Sequence, residues 1–103
     1  MASTKEYRDF IYERLSPIGE ISFRPMMGEY LVYFGGIYFA TICDDRFMVK
    51  ITEANKKYDM EEVLPYDGAK PMFLVTELDN DELLKEIVFD TVNFLPKKEK
   101  KKK

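Results

Sequence analysis

The chain has 103 residues, of which 46% are hydrophobic and 15% aromatic, so its composition is that of one small folded domain and not of a disordered chain. A single Cys and no His exclude an internal disulfide, Cys/His zinc clusters and the usual general base near neutral pH. No apolar run approaches the ~20 residues of a transmembrane helix and no secretory signal is visible, so we expect a cytoplasmic protein without membrane contact.

The charge is distributed unevenly along the chain. Of its 16 basic and 19 acidic residues, six Lys and one Glu lie in residues 97–103, which leaves 10 basic and 18 acidic residues in 1–96. A body this acidic does not predict a groove that follows nucleic-acid phosphates. We therefore predict one domain over residues 1–96 without specific nucleic-acid binding, and a disordered Lys-rich tail over 97–103.

Residues 3–15 predict the first helix. Its apolar residues recur at helical spacing on one face: Tyr7, Phe10, Ile11 and Leu15. Ser3 or Thr4 can cap this helix, and the Ser-Pro step that follows it ends it. A short strand over residues 21–24 comes next, and Pro25 restricts that strand to an edge or a bent position in a sheet.

Residues 24–51 predict a three-stranded antiparallel meander. Gly35-Gly36 and Asp44-Asp45 are two-residue turn signals, and they separate three runs rich in aromatic and β-branched residues. Two-residue turns fix the cross-strand pairs, which are Phe34–Ile37, Tyr33–Tyr38, Leu31–Ala40, Cys43–Arg46 and Ile42–Phe47.

Strict alternation of side chains assigns the two faces of this meander. One face is apolar, and we expect helices to pack on it: Leu31, Tyr33, Tyr38, Ala40, Ile42, Phe47, Val49 and Ile51. The other face carries Thr41, Cys43 and the two cations Arg46 and Lys50 beside a contiguous apolar block, which is made of Tyr30, Val32, Phe34, Ile37, Phe39 and Met48. Unless the first strand, the loop before residue 72 or a helix covers these six residues, they form an exposed patch, and such patches mark partner surfaces.

Three further elements follow the meander. Residues 52–58 predict a short helix capped by Thr52, residues 59–70 a loop, and residues 72–78 another strand. The last element is a helix that ends near Leu95. This helix has Asp79 or Asn80 as its cap and the following buried stripe: Leu83, Leu84, Ile87, Val88, Thr91, Phe94 and Leu95.

These elements predict an α+β domain with two layers, in which helices pack on one face of an antiparallel sheet. The predicted order is a helix, three or four strands, a short helix, a strand and a long helix. The pattern does not determine the order of the strands within the sheet.

No pattern in the chain predicts catalysis, a metal site or a cofactor. Glycine-rich phosphate-binding motifs do not occur, and the pairs Asp44-Asp45 and Glu61-Glu62 lack the alternating spacing of a calcium loop. Cys43 has no His partner, and its acidic neighbours raise the pKa of a thiol, although Arg46 opposes them. We therefore predict a protein that is not an enzyme.

Three side chains support an alternative function, the binding of a small molecule or anion. Arg24 lies in an apolar setting before Pro25, where it could hold an anion or tie a strand end to backbone carbonyls. Lys50 allows the same two interpretations. A site built from Arg24, Tyr30 and Lys50 predicts a concave pocket with converging polar groups.

A family resemblance appears in the meander and in the run before it. The residues that carry it are Arg24-Pro25-Met26-Met27-Gly28-Glu29-Tyr30, followed by Tyr33, Gly36, Phe39-Ala40, Asp45 and Lys50. This pattern resembles the N-terminal domain of TfoX/Sxy-type proteins, which typically show Arg-x-Met-Phe-Gly-Gly-Tyr. Met27 therefore stands in place of the family's Phe, and Glu29 in place of its Gly.

The resemblance covers nearly all of residues 4–95. It implies a two-layer α+β fold similar to that of secretion chaperones, and a relation to regulators of natural competence. Full-length members carry a separate C-terminal domain, so this chain would be a stand-alone N-terminal domain. The family supplies no catalytic residues.

Three functions stay open at this point. The first is a non-enzymatic interaction or regulatory module, which binds a protein partner or forms a homodimer through the apolar patch. The second is the small-molecule or anion-binding domain. The third is direct DNA binding, for which only the tail over 97–103 argues.

Overall fold

A computed structural model of the chain describes residues 4–26, 29–65 and 68–95, so the predicted tail over 97–103 lies outside the described residues. The elements of the described residues are α1 Lys5–Leu15, β1 Ile21–Met26, β2 Glu29–Phe34, β3 Ile37–Cys43, β4 Arg46–Val49, a 3-10 helix Lys56–Tyr58, β5 Glu61–Val63, β6 Met72–Leu74 and α2 Asp81–Asn93.

The six strands in the described part of the chain form one open antiparallel sheet, in the order β1-β2-β3-β4-β6-β5. The strand that contains Pro25 lies at an edge, as predicted. Both helices pack on the same face, because Leu15 of α1 and Leu84 of α2 share one buried cluster with Phe39 of β3. The predicted two-layer α+β class is confirmed, with more strands than expected.

The helix caps follow the prediction, and the helix faces follow it in part. Thr4 caps α1, since its hydroxyl oxygen accepts a hydrogen bond from the Tyr7 N–H at 3.1 Å. Asn80 caps α2 in the same way, through the Leu83 N–H at 3.1 Å. Phe94 was expected in the buried stripe but is 61% exposed, because α2 ends at Asn93 and helical periodicity no longer directs the side chain that follows.

The region after β4 differs from the prediction in three places. Residues 52–55 form a turn, and only Lys56–Tyr58 is helical, as a 3-10 turn. The expected loop contains β5, whose Glu61 and Glu62 are poor strand formers that pair with β6 at the sheet edge, so tertiary pairing overrides propensity here. The strand expected over 72–78 is shorter and spans Met72–Leu74.

Both hairpin turns lie where the sequence predicts them, but the register of β2 against β3 shifts by one residue. Tyr33 pairs with Tyr38 as expected, whereas Val32 pairs with Ala40, so Phe39 is an extra residue on β3. Leu31 therefore pairs with Thr41 and not with Ala40. This is a β-bulge, which interrupts the alternation of side chains along its strand.

Because of the bulge, the predicted faces of the meander were wrong in part. The core face, which packs under the helices, carries Tyr30, Val32, Phe34, Ile37, Phe39, Ala40, Ile42, Phe47 and Val49. The opposite face, which we call the outer face, carries Arg24, Glu29, Leu31, Tyr33, Tyr38, Thr41, Cys43, Arg46, Met48, Lys50, Met72 and Leu74.

The six residues predicted as an exposed interface do not form an exposed patch. Five of them belong to the core face or pack against it: Tyr30, Val32, Phe34, Ile37 and Phe39. Val32 and Phe39 are fully buried, and the Phe34 ring lies edge-on to Phe89 of α2 with 5.6 Å between centroids. Met48 is fully buried on the outer face, in a separate cluster with Cys43 and Met72. The bulge reverses which side chains of β2 face the helices, and the helices therefore cover these residues.

Candidate functional site

The outer face of the sheet has a buried half and a half that is more open to solvent. Over β4 and β6 it is buried, because Cys43, Met48 and Met72 form a cluster of their own. Over β1 and β2 it is more open, since Arg24 is exposed and Leu31 is only half-buried. A cleft lies next to the buried cluster, on the same side of the sheet.

Pro65 is anchored over the buried half by two side chains of the outer face. Its carbonyl oxygen lies 3.0 Å from the Cys43 Sγ and 3.3 Å from the Nη2 of Arg46, both of which can donate to it. The Cys43 Sγ also lies 3.2 Å from the Glu29 Oε2. These contacts hold the segment that forms one wall of the cleft.

The same surroundings lower the fraction of the Cys43 thiol that is present as thiolate. Burial, the hydrogen bond to Glu29 and the negative charge of Glu29 raise the pKa of Cys43 from 9.0 to about 11, and Arg46 offsets this only in part. The thiol is therefore protonated at neutral pH, whereas nucleophilic cysteines act as thiolates. Cys43 acts as a hydrogen-bond donor within the fold.

The cleft has a volume of about 570 Å³, which is within the range of small-molecule sites. Its described lining consists of Tyr38, Thr41, Lys50, Ile51, Pro65, Ala69, Lys70, Pro71 and Met72. The Lys50 ammonium lies 4.2 Å from the centroid of the Tyr38 ring, a cation–π distance. The hydroxyl groups of Tyr38 and Thr41 are 2.7 Å apart and hydrogen-bonded to each other.

The bulge is what brings these groups together. In a regular strand, residues three apart point to opposite faces, so Tyr38 and Thr41 could not meet. The extra residue, Phe39, places both of them on the outer face. The backbone of Lys50 is held at both ends, since its N–H donates to the Phe39 carbonyl at 2.9 Å and its carbonyl accepts from the Asn55 Nδ2 at 2.8 Å.

The three residues predicted as a binding site do not converge. Lys50 lines the cleft directly after β4. Arg24 is exposed on the same face, but it belongs to the edge strand β1, which β2 and β3 separate from β4. Tyr30 lies on the core face, where its ring packs 6.4 Å from the ring of Phe23 and under the Arg8 guanidinium. Of the trio, only Lys50 belongs to the cleft.

Sequence reasoning missed the other polar residues of the cleft. Tyr38 and Thr41 were assigned to different faces because the bulge was not foreseen, and Lys70 was placed in a loop without a role. The strand signal around Tyr38 contains no Gly or Pro that would mark a bulge. The only sequence signal for Lys70 was its place before Pro71 and the following strand, and this signal by itself does not indicate a binding residue.

Residues 4–26, 29–65 and 68–95 contain neither a helix that could span a membrane nor a cluster of metal ligands. Neither helix there is long and apolar enough to cross a bilayer. No group of three or more His, Cys, Asp or Glu side chains in this part of the chain is arranged to hold a metal ion.

Comparison with known proteins gives a family. The family model for the TfoX N-terminal domain matches residues 13–88, which is most of the chain. The chain belongs to the TfoX N-terminal domain family. The resemblance identified from the meander is thereby confirmed, and the TfoX N-terminal match includes every described strand, the last three residues of α1 and the larger part of α2.

A relative of this TfoX N-terminal domain occurs in Spirochaeta aurantia. It is described as an uncharacterized 12.7 kDa protein in the trpE 5′ region, and it is 28% identical over 80 residues. The aligned part covers 76% of this chain and 70% of the relative, so the two proteins are similar over most of their lengths.

Proposed function

We propose that this TfoX N-terminal domain is a non-enzymatic, competence-regulator-like module that acts by binding a protein partner in the cytoplasm, and that its contact surface is the outer face of the sheet. The family membership supports a regulatory role. The observation that carries the choice of surface is the arrangement of the two layers. Both helices cover the core face, whereas Arg24, Leu31 and Tyr33 of the outer face remain accessible beside the cleft.

The chemistry of the described residues supports binding rather than catalysis. The sequence has no His to serve as a base near neutral pH. The Cys43 thiol has a raised pKa, and its one S–H has acceptors within the fold, the Glu29 carboxylate and the Pro65 carbonyl. The remaining polar groups of the outer face, such as Lys50 and the hydroxyl of Tyr38, are suited to recognition.

Site-specific photo-crosslinking in the native cell tests this surface. A benzophenone amino acid replaces Tyr33, which lies on the open half of the outer face, or Phe94, which is more exposed but lies at the end of α2 on the helix side. We expect an adduct of defined mass from position 33 and none from position 94. Arg24→Glu should reduce the yield from position 33, because it reverses an exposed charge on the same face.

The mass of the adduct identifies the partner. An adduct at twice the mass of the chain identifies a second copy, in agreement with the homodimer prediction, and light scattering at micromolar concentration should then give a dimer. Any other mass identifies a different protein. Adducts from position 94 alone, or equal yields from both positions, would contradict the proposal.

A further inference from the structure

We propose that the chain pairs with a second copy of itself through the free edge of β1, so that two sheets join into one. The β1 strands of the two copies run antiparallel about a two-fold axis at Ser22, and residues 20–24 of each copy form the contact. This surface is an edge of the sheet and not its outer face. The proposal therefore goes beyond the proposed function and does not depend on it.

The free side of β1 offers backbone groups to a further strand. β1 is the first strand of the sheet, and no described residue pairs with its second side. The Glu20 carbonyl accepts from the Gly35 N–H at 2.8 Å and therefore points toward β2. Because successive residues direct their backbone groups to opposite sides, those of Ile21 and Phe23 point away from the sheet. Pro25 also lies on this side, where its missing N–H costs no bond to β2.

The charged side chains next to these backbone groups complement each other. Glu20, Ser22 and Arg24 alternate with residues of the core face and therefore share the outer face. Glu20 and Arg24 are exposed, and neither forms an ion pair within the described residues. When Ser22 pairs with Ser22 of the second copy, Glu20 lies opposite Arg24 of that copy. The symmetry repeats this attractive pair on the other side of the axis.

The backbone groups favour the same register as the charges. With the axis at Ser22, Ile21 of one copy lies opposite Phe23 of the other, and such a pair exchanges both N–H···O=C bonds. An axis at Phe23 would place Ile21 opposite Pro25, which has no N–H to donate. It would also place Arg24 opposite Ser22, so both ion pairs would be lost.

Aromatic side chains add an apolar contact on the helix side of this edge. Phe23 is half-buried, and its ring lies 5.8 Å from that of Tyr12, which is 46% exposed. The two copies present the same face on the same side, so pairing brings these rings together and covers part of their area. The contact is short, below the ~1,200 Å² of stable interfaces, and we expect a Kd of about 10–100 µM.

The opposite edge of the described sheet does not suit a second copy. β5 has only three residues, and Glu61 and Glu62 are exposed there. Antiparallel pairing of β5 with itself would bring these carboxylates together across the axis, and like charges at opposite positions destabilise a sheet. The self-complementary charges are therefore specific to β1.

Charge exchange in the full chain tests the register. Sedimentation velocity measures the Kd between about 5 and 500 µM, a range that includes the expected value. Glu20→Arg and Arg24→Glu should each weaken the dimer about tenfold or more, because each places like charges opposite each other on both sides of the axis. An equimolar mixture of the two variants should dimerise as the wild type does, since opposite charges face each other again. The double variant Glu20→Arg/Arg24→Glu should do the same.

Two substitutions on α2 are the matched controls. Glu82→Arg changes the net charge as Glu20→Arg does, and Lys85→Glu changes it as Arg24→Glu does. Both residues are exposed on the helix, and their replacement should leave the Kd nearly unchanged. Thermal unfolding of each variant confirms that it folds.

A disulfide locates the two-fold axis. Ser22 lies between hydrogen-bonded pairs, so its Cα and that of its counterpart are about 4.5 Å apart, a distance that a disulfide can bridge. Ser22→Cys in a Cys43→Ala background should form a covalent dimer with glutathione disulfide as the oxidant. Thr76→Cys in the same background should not, because Thr76 is an exposed hydroxyl residue that follows β6, near the opposite edge.

The failures of the inference and of the proposed function are distinguishable. A chain that stays monomeric up to about 500 µM, a mixture of the charge variants that does not dimerise, or equal dimer yields from both cysteine variants overturns the inference. Slow hydrogen exchange at the Ile21 and Phe23 amides of the monomer also overturns it, because another part of the chain then covers this edge. In each case, crosslinking from position 33 still decides whether the outer face contacts a protein partner.

Discussion

Asn55 joins the two layers of the domain through hydrogen bonds. Its side chain is fully buried, and its Nδ2 donates to the Lys50 carbonyl and to the Thr91 Oγ1, each at 2.8 Å. Its Oδ1 accepts from the Thr52 N–H at 2.9 Å. Thr91 in turn donates to the Ile87 carbonyl of α2 at 2.7 Å. The end of β4, the turn after it and α2 are thus fixed by one amide group.

We predict that Asn55→Ala lowers the free energy of unfolding by about 2–4 kcal/mol, because it leaves several buried donors and acceptors without partners. Urea unfolding measures the change. Asn93→Ala is the control, since Asn93 is exposed at the end of α2 and its replacement should stay within about 0.5 kcal/mol. Equal changes in the free energy of unfolding for the two substitutions would show that the hydrogen bonds of Asn55 do not contribute to stability.

A second prediction concerns the pH dependence caused by Cys43. The folded protein holds the thiol proton up to about pH 11, whereas the unfolded chain releases it near 9.0. Stability from this group is therefore fully present below pH 9 and is lost as the pH rises from 9 to 11. Between pH 9 and 11, the free energy of unfolding of the wild type should therefore fall relative to that of Cys43→Ala. Urea unfolding of both proteins across this range measures the difference.

Alkylation provides an independent check on the same thiol. At pH 8 a pKa higher by two units leaves about a hundredfold less thiolate, so iodoacetamide should react about a hundredfold more slowly with the folded protein than with the chain in urea. Equal rates would mean that the thiol is neither buried nor protonated as its surroundings indicate.

At the scale of elements, the bulge in β3 decides which residues form the core. It places Phe39 and Ala40 consecutively in the buried cluster, although regular strands alternate. The half of β3 beyond the bulge keeps the predicted arrangement, with Ile42 on the core face. The exchange of faces is confined to β2 and the start of β3, and it moves Phe34 under the helices.

The turn between α1 and β1 packs directly on this part of the core. A Cβ added to Gly19 would lie 2.4 Å from the Phe34 Cζ. The Phe34 ring cannot move freely, since it contacts the rings of Phe39 and Phe89 at 6.5 and 5.6 Å between centroids. The absence of a side chain at Gly19 is therefore a packing requirement.

We predict that Gly19→Ala destabilises the domain by about 1–3 kcal/mol through overpacking. In a Phe34→Leu background the same substitution should cost clearly less, because the ring atoms that it meets are gone. Thermal or urea unfolding of the four proteins gives this coupling. Glu20→Ala, at the exposed next position, is the control for the turn, and an identical cost of Gly19→Ala in both backgrounds would contradict the contact.

At the scale of the whole molecule, stability should be graded across the sheet. β3 lies in its interior between β2 and β4, and six of its seven residues are buried. β5 has three residues, two of them exposed, and lies at an edge. Local opening needs little disruption at such an edge.

We predict that the amide protons of β3 exchange only through global unfolding, and that those of β5 exchange about a hundredfold faster or more. Hydrogen exchange followed by NMR measures both. Asn55→Ala should accelerate exchange in β3 and α2 together, because it loosens the contact between the layers. Equal exchange rates in β3 and β5 would contradict the prediction that stability decreases from the centre of the sheet to its edge.

The sequence by itself determined both α-helices, the strands other than β5, both hairpin turns, the two-layer α+β class and the family. Each of these depends on local signals: glycine and aspartate pairs at turns, caps such as Thr4 and Asn80, and apolar periodicity in α2. Such signals act between residues close in the chain, so they can be recognised without knowledge of the packing.

Only the tertiary structure decided which face of β2 is buried, how β5 joins the sheet and where the cleft lies. One extra residue at Phe39 inverts the alternation between strands, and β3 contains no Gly or Pro that would mark it in the sequence. The site follows from this choice, because the bulge brings Tyr38 and Thr41 to the same face as Lys50. Those residues meet through pairing and packing that no local pattern encodes.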